Sequence, residues 1–73
     1  MYQVIEQLNT VPMVPPNRMP GTFKAWYTWA DAWLNERYGT FADNLSTARG
    51  TYQLWYSWGI LPADAAAMAF SNR

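Results

Sequence analysis

The chain contains no cysteine and no histidine. Without cysteine it forms no disulfide, offers no thiol nucleophile and builds no thiolate metal site. Without histidine it lacks the commonest general base and the commonest metal ligand. Charge is scarce as well. Five basic residues balance five acidic ones, and neither sign forms a run. Binding to a phosphate backbone needs clustered Lys and Arg, because affinity grows with the phosphates neutralised, so nucleic acid is not an expected partner. Long apolar runs are missing too. No stretch approaches the ~20 residues of a membrane span. Residues 1–10 carry neither a basic n-region nor an apolar h-region, so no signal peptide is read there. The expected setting is the cytoplasm or a larger particle such as a virion, and the lack of cysteine fits a reducing compartment.

These absences leave carboxylates as the first place to look for catalysis. Asp31 and Glu36 are five apart in the sequence and diverge on a helix. Asp43 and Asp64 fall where helices should start, and there a carboxylate stabilises the positive helix end. Glu6 stands alone. The four glycines, Gly21, Gly39, Gly50 and Gly59, are well separated, so no phosphate-cradling loop exists. No catalytic, cofactor-binding or metal-ligating residue is assigned. The chain reads as non-enzymatic, with no cofactor and no small-molecule ligand expected.

What the sequence has in abundance is aromatic surface. Residues 22–59 hold all five tryptophans and eleven of the thirteen aromatic residues. Inside this stretch a phrase occurs twice. Thr22-Phe23-Lys24-Ala25-Trp26-Tyr27-Thr28-Trp29-Ala30 returns as Thr51-Tyr52-Gln53-Leu54-Trp55-Tyr56-Ser57-Trp58-Gly59, with four identities at an offset of 29 residues. That offset suits helical repeats, but the flanks do not match, and two copies are fewer than a stable array needs. Shared packing logic explains the phrase better. In each copy a large Trp is followed four residues on by a small residue, Ala30 or Gly59, which lets helices interlock.

Helical phase organises the rest. Thr22 suits a helix N-cap. Apolar residues at 23, 26, 27, 30, 33, 34 and 38 form one arc, opposite Lys24, Thr28, Asp31 and Asn35. Trp29 sits at the edge of that arc. Arg37 suits the negative helix end, and Gly39 reads as the stop. Thr40-Phe41-Ala42-Asp43 resembles a capping box. Phe41, Leu45, Ala48, Tyr52, Trp55, Tyr56 and Gly59 then keep one phase through Gly50, which predicts a single helix over 41–58. The alternative is two short helices with a turn at Gly50, a residue that costs about 1 kcal/mol in a helix interior. Gly59 stops this helix. Pro62 and Asp64 open a last, alanine-rich helix.

Ahead of the helices lies an arm, residues 1–21. Tyr2, Ile5 and Leu8 suit a short helix over 2–9. Pro12, Pro15, Pro16 and Pro20 make the remainder extended. Val11, Met13, Val14 and Met19 interleave with the prolines, whereas a solvated linker would carry Ser, Gly or charge. The arm is therefore expected to lie on something apolar, its own helices or a neighbouring chain.

The predicted fold is all-α. A helical hairpin, 23–38 and 41–58, carries a short third helix and an extended proline-rich N-terminal arm. Residues 22–73 form the aromatic-rich domain. Trp26, Trp33, Trp55, Tyr27 and Tyr56 are the expected core. Trp29, Trp58 and Leu54 lie off the centres of their arcs. With Met13, Val14 and Met19 of the arm, they are the candidate partner-binding residues, because exposed aromatic and Met side chains anchor interfaces. The expected function is a small structural or interaction protein docking on a larger protein assembly or homo-oligomer, such as a minor virion component. The alternatives are an inhibitor or adaptor of one host enzyme or receptor, and a carbohydrate- or peptide-binding module. A membrane-surface role is disfavoured because the polar helix faces are not basic.

Overall fold

The computed structural model describes residues 14–72. The expected helix over 2–9, and Met13, lie outside the described residues. The described chain is all-α: α1 (Phe23–Tyr38), a single 3₁₀ turn (Ala42–Asn44), α2 (Arg49–Ser57) and α3 (Pro62–Ser71).

α1 starts and stops where its sequence signals. The Thr22 hydroxyl accepts a hydrogen bond from Ala25 N–H at 3.2 Å. Gly39 closes the helix in the left-handed region, φ 69°, with its N–H donated to the Asn35 carbonyl. The buried face is Trp26, Ala30, Trp33 and Leu34, spacings of four, three and one that lie on one helical stripe.

The single helix over 41–58 does not form. In its place the chain makes the 3₁₀ turn, runs extended at Leu45 and Ala48, and starts α2 only at Arg49. Tertiary contacts decide this. Asp31, on α1, accepts the Ala42 N–H at 2.6 Å and pins the turn to the first helix. Ser46 hydroxyl donates to the Asn72 carbonyl at 3.4 Å, tying the extended stretch to the end of α3. Local preference gives way readily, because Asn, Ser and Thr at 44, 46 and 47 compete with the helix for backbone partners. Phe41, expected on the buried seam, is exposed.

The hairpin is corrected as well. α1 packs chiefly on α3, and α2 touches it over a shorter contact. The Trp26 indole N–H donates to the Ile60 carbonyl at 2.8 Å, just before α3. At the other end the Tyr38 and Phe70 rings stack at 4.1 Å with an interplanar angle of 5°. α1 and α3 therefore run in the same direction, and α2 belongs to the return path between them. Pro62, Ala65, Ala66 and Ala69 are buried along α3, so small side chains let the two backbones approach while the α1 tryptophans fill the space beside them. α2 supplies Tyr52 and Trp55 to the core. It stops on a Schellman motif in which Gly59 (φ 78°) donates to the Tyr56 carbonyl and Ile60 to that of Trp55.

The two copies of the repeated phrase serve different ends. The first opens α1, and the second closes α2. Trp26 and Trp55 are both buried, whereas Trp29 is half-buried and Trp58 exposed. Ala30 packs in the core, whereas Gly59 supplies a turn. Shared helical spacing, not a repeated structural unit, accounts for the resemblance.

Candidate interaction surface

Four of the five expected core residues, Trp26, Tyr27, Trp55 and Tyr56, meet in one ring cluster with Phe23 and Tyr52, while Trp33 is buried apart from it. Phe23 lies 5.8 Å from Trp26 and 5.8 Å from Tyr56, and Trp26 lies 5.7 Å from Tyr56. Tyr52 meets Tyr27 edge-on at 5.2 Å and Trp55 edge-on at 5.5 Å. Such pairs add about 0.5–1.5 kcal/mol each beyond burial. Arg49 covers the outer side of the cluster, 4.7 Å from the Tyr27 ring centroid and 5.5 Å from that of Phe23.

One polar feature lies beneath it. The hydroxyls of Tyr52 and Thr47 are buried, and neither has a hydrogen-bond partner among the described residues. Burial raises the Tyr52 pKa above 10.0; Thr47 acts in the opposite sense, and Tyr27, Asp31 and Asp43 add to the rise. Tyr27 is raised too, by burial first and then by Asp31 and Asp43, against a smaller lowering by Arg49.

The arm reaches its own helices. Pro15 is buried. The Trp33 indole N–H donates to the Pro16 carbonyl at 3.1 Å. Asn17 accepts the Ala63 N–H at 3.0 Å through its side-chain oxygen. α3 has no side-chain cap from Leu61, its own N-cap residue, so a residue 46 positions earlier in the chain satisfies one of its free first-turn donors. Arg18 lies 5.3 Å from the centroid of the Trp29 ring.

Five of the six candidate partner residues are described, and they fall in three places on the surface. Trp29 is half-buried, with Arg18 of its own arm over the ring. Trp58 is 62% exposed and Leu54 46%. They are four residues apart, so they share one outward face at the end of α2. Val14 is 52% and Met19 38% exposed, flanking the docked Pro15, Pro16 and Asn17. Sequence reasoning missed Asn17, Asp31 and Arg18, whose roles depend on partners distant in the chain. The only signal for the arm's course was its apolar content.

No helix among the described residues is long and apolar enough to cross a membrane. The chain matches no protein-family model, no curated protein and no solved structure.

Proposed function

We propose that this chain is a non-enzymatic interaction protein that docks on a larger protein assembly, with the Leu54–Trp58 face of α2 as its anchor. The exposure of Trp58 carries this reading. A tryptophan left 62% accessible beside an exposed leucine, in a domain whose other four tryptophans are buried or half-buried, is surface suited to a partner. The overall neutrality of the chain fits a protein surface better than a phosphate backbone. A minor structural component of a virion or a comparable accessory subunit fits these properties, on the strength of size and composition.

Leu54→Ala and Trp58→Ala test the proposal. Surface truncations of this kind change stability by about 0.5 kcal/mol or less, while loss of an interface anchor weakens binding by about 2 kcal/mol or more. Affinity capture from the native source with wild-type and variant chains should therefore differ in what is retained, with melting curves that superimpose. Coat-like proteins in fixed stoichiometry support the accessory subunit, and a single enzyme points to an inhibitor. Identical capture by all three chains removes the α2 face from the proposal.

A further inference from the structure

The arm is held to the domain as a ligand is held. Residues 14–20 form no helix or strand, and no backbone–backbone hydrogen bond is made by them among the described residues. What holds them comes from α1 and α3. Trp33 donates to the Pro16 carbonyl, Ala63 N–H donates to Asn17, and the Trp29 ring lies under Arg18. Indole donors aimed at an extended, proline-containing backbone are a recurrent mode of peptide recognition. Pro15, Pro16 and Pro20 restrict the segment's backbone before it docks, so ordering it costs less entropy. The joint to α1, Pro20-Gly21-Thr22, is a light attachment: Gly21 is exposed, with open space where a side chain would stand.

We infer that the groove between α1 and the start of α3 is a binding site for residues 15–17 of a second copy of this chain, whose arm takes the place of the resident one. The same contacts form in either arrangement. The difference lies in the entropy of association set against that of closing the joint. A short tether holds the resident arm at an effective concentration of about 1 mM, so it prevails in a dilute monomer. Copies held side by side reach comparable local concentrations, and the arms can exchange. This deepens the docking reading by naming a second copy as the occupant of one surface, and Asn17 of that copy would cap α3 in place of the resident Asn17.

Two complementary variants test it. One disables the arm, Asn17→Ala with Arg18→Ala, and keeps the groove. The other disables the groove, Trp33→Phe, and keeps the arm. Each alone should sediment as a monomer. An equimolar mixture should yield a one-to-one heterodimer, which an excess of synthetic peptide spanning residues 14–20 dissociates. A mixture that sediments as monomers at all concentrations up to about 1 mM overturns the inference. If circular dichroism shows that Trp33→Phe has lost its helices, the peptide is titrated into the arm-disabled chain and read by tryptophan fluorescence. A saturable shift, at least about tenfold weaker for a peptide with Ala in place of Asn17, supports the site. No saturable shift overturns it. Failure here with capture through Leu54 and Trp58 intact leaves the docking function standing; loss of capture alone leaves arm exchange standing.

Discussion

Trp26 and Trp33 are seven residues apart on α1, and each buries its ring while donating its indole N–H to a distant backbone carbonyl, Ile60 or Pro16. A buried Trp needs such a partner, and here the partners fix the start of α3 and the path of the arm. Asp31 works in the same way from the other side of the bond, accepting from Ala42. Asp31→Ala should destabilise the fold by about 2 kcal/mol, since it leaves the N–H of a buried residue without its charged acceptor. Chemical denaturation measures this; Asp31→Asn, which keeps an acceptor oxygen, should recover part of the loss. The Tyr52 hydroxyl has the opposite character, buried and unpartnered. Its folded-state pKa lies above the ordinary value of 10.0, so the neutral phenol is favoured in the native chain. The stability this contributes is complete below pH 10.0 and is lost as pH rises through the raised folded value. Thermal melts in alkaline buffers should show that decline, with a shallower decline for Tyr52→Phe; equal slopes would remove Tyr52 as its source.

At the scale of elements, α1 was legible almost residue by residue. Thr22, the apolar arc, Arg37 and Gly39 are all local signals, and a helix of 16 residues has room to express them. α3 was legible for the same reason, from Pro62 and the alanines. The stretch between them was not. Phe41 and Leu45 keep phase with Tyr52 and Trp55, but phase describes only which face residues would share if a helix formed. It does not include the Asp31 and Ser46 contacts that favour a 3₁₀ turn and an extended strand-like run. Gly50 and Gly59 separate the two effects experimentally. Gly50 is exposed in the first turn of α2, with open space around it. Gly50→Ala should stabilise by up to about 1 kcal/mol. Gly59 also has open space, but its φ is 78°. Gly59→Ala should destabilise by about 1–2 kcal/mol through backbone strain alone. Opposite shifts in melting temperature are expected, and shifts of the same sign would contradict the helix boundaries.

For the whole molecule the decisive contact is α1 against α3. Two parallel helices cannot be joined by a short turn, so the chain must return between them, and α2 with the 3₁₀ turn forms that return. The approach of the helices depends on Ala65, Ala66 and Ala69, all fully buried. Ala66→Leu should overpack this contact and destabilise by about 2 kcal/mol, lowering the melting temperature by roughly 10 °C for a domain of this size. A near-neutral Ala66→Leu would mean that the helices are free to separate. By itself, the sequence determined the all-α class, the bounds of α1, the glycine stops and the aromatic core around Trp26 and Trp55, because helix period and cap chemistry are written in neighbouring residues. The tertiary structure alone decided which helices pair, where 41–58 breaks, that residues 15–17 lie on α1 and α3, and that Trp58 faces outward while Trp29 is covered by Arg18. Each of those outcomes rests on a bond or contact between residues far apart in the chain, and helical periodicity carries no information about such partners.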